Sequence, residues 1–324
     1  MKRRLFWGGG VIVLAWLSLT GGGILAAEQN FPTRPLQVII PFAPGDTDVL
    51  LRPFVDRMPE FLGQPIIFVY KPGAAGAVGA GFVASAKPDG YNLLGTSQSC
   101  LAIVPHIQKE VSYTLESFAP INCLVESPIL LLTQSNAPWK DLKDLVADAK
   151  KNPSKINYTS AGTFNVGNIA HEAFAIQAGV KFNFIPSQGS GPAITAVLGG
   201  HVQLASAAIA PALPHLKSGT LRALAVYTEK RKPALPDVPT FVEMGYSVVA
   251  PVNYGFLAPK GTPKEVVAKI QLAAQKVIEN HGAYVKDRLD KFGAQVDFMA
   301  TREYTIFLSN QYDYYGNMIK SIKQ

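Results

Sequence analysis

The stretch Leu36-Gln-Val-Ile-Ile-Pro-Phe-Ala-Pro-Gly-Asp-Thr-Asp48 decides how this chain is read. Val38-Ile39-Ile40 is a short apolar run of the kind that forms a buried strand, and Pro41 stops it at once. Ala43-Pro44-Gly45-Asp46-Thr47-Asp48 then reads as a Pro/Gly-punctuated turn, and the apolar stretch from Val49 to Leu62 predicts a helix. A tight polar turn between a buried strand and a helix start leaves backbone N–H groups unpaired. Those donors and the positive end of the helix dipole favour an anion there.

The same alternation continues along most of the chain and predicts an α/β fold with mostly parallel sheets. Strands are expected at Leu36–Ile40, Pro65–Val69, Tyr91–Thr96 and Phe118–Val125, then at Ile129–Thr133, Ile156–Thr159, Phe182–Ile185, Val202–Ala207 and Leu221–Val226. Helical patterns lie at Trp139–Lys151, Val166–Ala178 and Pro192–Leu198. After Val226 the pattern changes, and the proline-rich 230–239 reads as a surface connection. Phe256–Pro259 is a further strand, and Thr262-Pro263-Lys264-Glu265 has the composition of a capped helix start. Val266, Ile270, Ala273 and Val277 then recur at helical spacing, and a short strand is expected near Ala294–Phe298.

Lys2-Arg3-Arg4, the apolar stretch from Leu5 to Leu19 and the small residues before Glu28 have the three parts of a secretory signal peptide over 1–27. An uncleaved anchor is the alternative; Gly21-Gly22-Gly23 favours cleavage near Ala26 or Ala27. Removing 1–27 takes away three cations and lowers the formal net charge from +7 to +4, with 27 Lys and Arg against 23 Asp and Glu. The remaining charge is scattered, so a nucleic-acid surface is not expected. Cys100 and Cys123 read as two separately buried thiols, with a single disulfide as the alternative.

Familiar catalytic motifs are not matched. Gly73-Ala-Ala-Gly76-Ala-Val-Gly79 has the wrong spacing for a dinucleotide loop, and no cofactor is expected. Ser97 and Ser190 sit in glycine-flanked turns, but none of the five histidines belongs to a recognisable base signature. His171-Glu172 is adjacent rather than at metal-ligand spacing, so no metal site is expected. What recurs is a strand, a small-polar turn and a helix: at Gly45–Asp48, Ser97–Ser99, Ser160–Asn165 and Ser187–Gly191. Neutral hydroxyls, amides and N–H groups can hold a carboxylate without doing chemistry on it, and such turns lie where open α/β sheets bind ligands.

Phe31-Pro-Thr-Arg-Pro35, VIIPFAPGDTD, GQPIIFVYKPGAAGAVGA, AKPDGYNLLGTS, INYTSAG, HEAF, GSGPAITAVLGGHVQL, LRALAV, PALPDVPTFVEMGY and FLAPKGTPKEVV follow one another in that order. On these motifs the whole mature chain resembles the solute-binding receptors of the tripartite tricarboxylate transporter family, the Bug receptors. The resemblance implies a two-lobe periplasmic-binding-protein fold (type II-like), with helices flanking each sheet, a ligand cleft between the lobes and a hinge of two crossing strands. It implies lobe one at 31–132 plus 251–324 and lobe two at 133–250. It further implies a monomeric periplasmic protein that captures a small organic carboxylate and delivers it to two integral-membrane subunits.

By the same resemblance the ligand would meet Ala43, Pro44, Gly45, Asp46, Thr47, Asp48 and Ser97 from lobe one. Lobe two would offer Ser160, Gly162, Thr163, Phe164, Asn165, Ser187, Gln188 and Ala207. Asp48 reads as a loop clamp, or a partner for a bound amine, rather than an anion ligand. The alternatives from other classes are an exported hydrolase built on Ser97 or Ser190 and a receptor serving a membrane sensor.

This chain departs from the family pattern. Its first loop is one residue shorter, with Asp46 where a second glycine is usual. Phe164 stands where glycine is common, Ser187-Gln188 replaces a frequent Tyr-Lys, and Ala207-Ala208 stands where many relatives carry Asp. The last three changes remove charge or add apolar area, so the expected ligand is a less polar carboxylate, aromatic or longer-chained, dicarboxylates included. A thermal-shift screen should show larger stabilisation by such acids than by short hydroxy-dicarboxylates. Stabilisation by the short hydroxy-acids alone would contradict this.

Overall fold

The computed structural model describes residues 31–108 and 110–322; the expected signal peptide lies outside them. Eleven strands among these residues form two sheets. The first takes β1 (Leu36–Ile40), β2 (Ile66–Tyr70), β3 (Asn92–Ser97) and β4 (Phe118–Ser127) from the front of the chain, and β10 (Val252–Pro259) and β11 (Gln295–Met299) from its end. Its order is β11-β4-β10-β3-β1-β2. The second holds β5 (Ile129–Gln134), β6 (Asn157–Ser160), β7 (Asn183–Phe184), β8 (Leu204–Ala208) and β9 (Leu221–Val226), ordered β7-β6-β8-β5-β9.

Both sheets are mixed rather than mostly parallel. β1 pairs in parallel with β2 and β3, and β6 with β7 and β8, as right-handed crossover connections through helices require. β10 and β11 run antiparallel to β4, and β5 runs antiparallel to β8 and β9. The outward passage takes a single residue, Pro128, between β4 and β5, and the return enters β10 through Ala250-Pro251. The two passages lie side by side: Val252 pairs with Ser127, Tyr227 N–H donates to Ile129 at 3.0 Å, and Ala250 N–H donates to Tyr227 at 2.8 Å.

β10 and β4 are longer than their apolar runs suggest, with all eight residues of β10 buried. They pack so closely that a Cβ at Gly255 would fall 2.1 Å from the Asn122 carbonyl, at a register shift. Only glycine fits there. Gln98, fully buried just after β3, ties this strand down. Its side-chain amide donates to the Pro251 carbonyl at 2.7 Å and accepts from Asn253 N–H at 2.9 Å.

The helices are α1 (Asp46–Val55), α2 (Ala77–Ala84), α3 (Leu142–Lys151), α4 (Val166–Ala178), α5 (Ser190–Leu198), α6 (Ile209–Lys217), α7 (Lys264–Asp290) and α8 (Thr301–Ile322). The helix expected over 49–62 begins earlier and breaks in two, because Pro59 cannot donate to the preceding turn; a separate turn covers Pro59–Leu62. α7 buries Val266, Ile270, Ala273 and Val277 on one face. Its expected Thr cap does not form: Thr262 Oγ1 donates back to the Pro259 carbonyl at 2.8 Å. Cys100 and Cys123 are both free and buried, and burial raises both thiol pKa values, that of Cys100 to about 12.

His171 is a titratable ring fully buried in the core of the second lobe. His171 of α4 stacks on Tyr158 at 3.8 Å between ring centroids, and its Nδ1 lies 3.1 Å from Ser206 Oγ. Its Nε2 is buried without a partner, and burial pushes its pKa from 6.5 down to about 3.

Two measurements follow from these contacts. Gln98→Ala should lower unfolding free energy by on the order of 3 kcal/mol, since it leaves two buried backbone groups unpaired; a urea titration unchanged from wild type would contradict the clamp. For His171, the unfolded chain binds a proton below pH 6.5 that the folded protein refuses until about pH 3, so stability falls as pH drops through that window. Between pH 7 and pH 5 this loss should be about 2 kcal/mol. His171→Gln should flatten it, and an equal pH slope in the variant would rule the assignment out.

Candidate functional site

The carboxyl ends of the parallel strands, and the helices that follow them, carry the small-polar turns. In the first lobe β1 passes through 41–45 into α1, and β3 ends on Ser97. In the second, β6 leads through 161–165 into α4, β7 through 185–189 into α5, and β8 directly into α6. Five chain segments therefore present loop backbone or helix N-termini at strand ends, as open α/β sheets do where they bind ligands.

α1 starts three residues earlier than its apolar run suggested. Val49 N–H bonds the Gly45 carbonyl at 3.1 Å, so Asp46, Thr47 and Asp48 form the first helical turn, and Thr47 and Asp48 are buried. Asp48 closes that turn on itself. Its Oδ1 accepts from Gly45 N–H at 2.6 Å, the reach-back of a capping box, and its Oδ2 accepts from Tyr70 O–H at 3.0 Å. Ala43, Pro44 and Gly45 remain exposed, and Ser97 closes β3 with its hydroxyl donated to Ser99 Oγ at 3.2 Å.

The second-lobe loop is held by a chain of side chains behind it. Ser160 Oγ donates to the Gly162 carbonyl at 2.8 Å. Phe164 adopts φ 57°, a conformation uncommon for a bulky residue, and its N–H is held at 2.9 Å by Asn168 Oδ1. The Asn168 amide donates to Tyr158 O–H at 2.7 Å, and that phenol donates in turn to the Glu172 carboxylate. Burial, then the Glu172 charge, raises the Tyr158 pKa well above its usual range, so it remains a neutral donor. Asn165 caps α4, its Oδ1 accepting from Asn168 N–H at 2.8 Å, while its Nδ2 is buried with no partner.

Ser187 is tied to Thr159 Oγ1 at 2.8 Å; Thr163 and Gln188 are exposed. Gly189 takes φ 132° and lets the chain turn into α5, whose first residue, Ser190, is buried and accepts from Ala208 N–H at 3.3 Å. Ala207 lies inside β8 with its side chain in the core, so Ala208 is the strand's last residue before α6. Burial, and then the charge of Asp48, raises the Asp46 pKa, with the Ser190 hydroxyl opposing. Asp46 also lies near buried Tyr254 of β10, whose pKa rises through burial and then that charge.

Sequence reasoning singled out the loop residues and missed what holds them. Gln98, Asn168, Tyr158 and Tyr254 were not candidates, since their partners lie elsewhere in the chain or act through backbone groups. Ser190 was weighed as a nucleophile and as part of the Ser187–Gly191 turn; its hydroxyl accepts from the Ala208 N–H.

The model of the tripartite tricarboxylate transporter family receptors matches residues 50–323. The chain is 30% identical over 291 residues to the protein BugT of Bordetella pertussis, covering 88% of this chain and 87% of that one. Among solved structures it is similar to the periplasmic binding protein BugD, with a TM-score of 0.81, 30% identity, and 90% and 99% of the two chains covered. MatC from Rhodopseudomonas palustris, solved with bound malate, gives 0.80, 29% identity, and 89% and 100%. The two mixed sheets, their turns at the strand ends and these likenesses agree: the chain belongs to the tripartite tricarboxylate transporter receptor family, the Bug solute-binding proteins.

Proposed function

We propose that this receptor is exported by a cleaved signal peptide and works as a monomer in the periplasm. It closes two lobes on a small organic carboxylate without chemical change, and because β5 pairs within the second sheet the expected boundary at 132/133 moves to the crossing at Pro128: 31–128 plus 251–324 against 129–250. It then hands the ligand to two integral-membrane subunits. The observation that carries the ligand class is the buried, unpartnered Asn165 Nδ2 beside the N-terminus of α4, in a loop fixed from behind. A buried donor without an acceptor is costly, and a carboxylate oxygen would satisfy it. The malate held by the similar MatC is a ligand of that class.

The segments at the strand ends contain no Lys, Arg or His between 43 and 48, 97 and 99, 160 and 165, or 186 and 190. Affinity then comes from several neutral bonds and bridging water rather than one ion pair, which suits reversible capture. In this reading Ser97 and Ser190 serve as hydrogen-bonding groups, Ser97 donating to Ser99 Oγ and Ser190 accepting from Ala208 N–H.

Asn165→Ala should weaken carboxylate binding by about tenfold, the worth of one hydrogen bond of roughly 1.4 kcal/mol, with the fold retained. Isothermal titration against the acid recovered by mass spectrometry from gently purified protein measures this, and unchanged affinity would remove Asn165 from the site. Ser97→Ala should alter affinity only. Loss of a turnover that wild type displays would instead establish the hydrolase.

A further inference from the structure

We propose that Ile209, seated against Gly293, is the steric stop that sets how far the two lobes close, and so positions the ligand-facing end of lobe two. This rests on the reading that the lobes close on a carboxylate, and adds the contact that limits the motion.

Gly293 follows α7 in lobe one, and Ile209 is the first residue of α6 in lobe two. A Cβ at Gly293 would fall 2.5 Å from Ile209 Cδ1, 3.0 Å from its Cγ1 and 3.2 Å from its Cγ2. Both partners are held from behind. On lobe one the end of α7 fixes the backbone: Gly293 N–H donates to the Asp290 carbonyl and Ala294 N–H to the Leu289 carbonyl, both at 3.1 Å. Gly293 takes φ 64° there, and β11 begins two residues later with Gln295 paired to Glu126. On lobe two Ile209 is fully buried in a cluster with Leu130, Leu213 and Val226. Its branched Cβ restricts χ1, so turning Cδ1 aside leaves both γ carbons in place.

Position gives this contact its leverage. Ile209 N–H donates at 3.1 Å to the carbonyl of Pro128, the residue at which the chain crosses between the sheets. The preceding residue, Ala208, ends β8 and donates its N–H to Ser190 Oγ at the start of α5. The side chain therefore stands beside the crossing about which the lobes turn, and one residue from a strand end of the candidate site. Atoms already in contact there cannot approach further, while opening only separates them. Close-packed contacts move between discrete arrangements rather than deforming smoothly. A small displacement near the crossing is multiplied at the far edges of the sheets, β2 and β7. Glycine at 293 thus admits the angle at which the strand-end turns of the two lobes meet a ligand, and a larger residue would hold the cleft ajar.

The test measures closure and affinity on the full mature receptor. Val78 in α2, after edge strand β2, and Ile185, after edge strand β7, are exposed, whereas Cys100 and Cys123 are buried. Nitroxides on Val78→Cys and Ile185→Cys therefore report the interlobe distance by double electron–electron resonance. Gly293→Ala should lengthen that distance. By calorimetry it should weaken the tightest binder among adipate, glutarate and malate at least fivefold. Adding Ile209→Ala should restore the wild-type distance and bring affinity back to within twofold, which backbone strain at residue 293 would not allow. Ile209→Ala alone should shorten the distance, and it decides the matter if Gly293→Ala fails to fold. An unchanged distance in Ile209→Ala, or a lengthening in Gly293→Ala that Ile209→Ala does not reverse, would overturn the stop and leave the carboxylate receptor intact. A lengthened distance with unchanged affinity would overturn it too. Distances that shift as expected while none of the three acids binds at millimolar concentration would instead sink the carboxylate reading and leave the stop standing.

Discussion

The rest of the structure depends on how tightly the chain is held where it crosses between its two sheets. Pro128 alone separates β4 from β5, and the longer return, 227–251, is pinned beside it by the bonds of Tyr227 to Ile129 and of Ala250 to Tyr227. Gln98 fixes the second one by bonding both Pro251 and Asn253 from a position adjacent to Ser97. The turn after β3 and the crossing strand are therefore a single hydrogen-bonded unit. Two mixed sheets joined this way can change their mutual angle by small torsions at the crossings, while the turns at the strand ends keep their internal geometry.

Fixing each half of the cleft separately explains its economy of charge. Asp48 acts within the first lobe, and the series Glu172, Tyr158, Asn168, Phe164 acts within the second. Both use buried, hydrogen-bonded polar groups to hold a loop from behind. Pre-ordering a loop removes part of the entropy that a ligand would otherwise have to offset on binding. Neutral donors then suffice, and the cost of burying an unpaired cation in an empty cleft does not arise.

Much of the fold was legible because apolar periodicity is local. Strands β1, β5 and β9 and the apolar face of α7 stand where the pattern put them. Three features were not legible, for physical reasons. The direction of pairing is set by which sheet a strand returns to, so the antiparallel β10 reads like any other buried strand. The start of α1 depends on Gly45 as its first carbonyl acceptor and Asp48 reaching back, which moves the helix boundary into what reads as a turn. Thr262 had two acceptable uses of its hydroxyl, and the tertiary position of Pro259 selected the other one.

Within the candidate site, residue types were visible but not their commitments. Thr47, Asp48, Ser187 and Asn165 share the composition of ligand contacts and of turn caps, and only three-dimensional partners separate the two. Asp48 and Ser187 have both been taken up by the scaffold, through Tyr70 and Thr159. Asn165 is divided, its oxygen capping α4 and its nitrogen left over. Asp46 read as a residue that merely occupied a glycine's place in a shortened loop. It is instead the first residue of α1, within the turn that Asp48 closes by reaching back to Gly45.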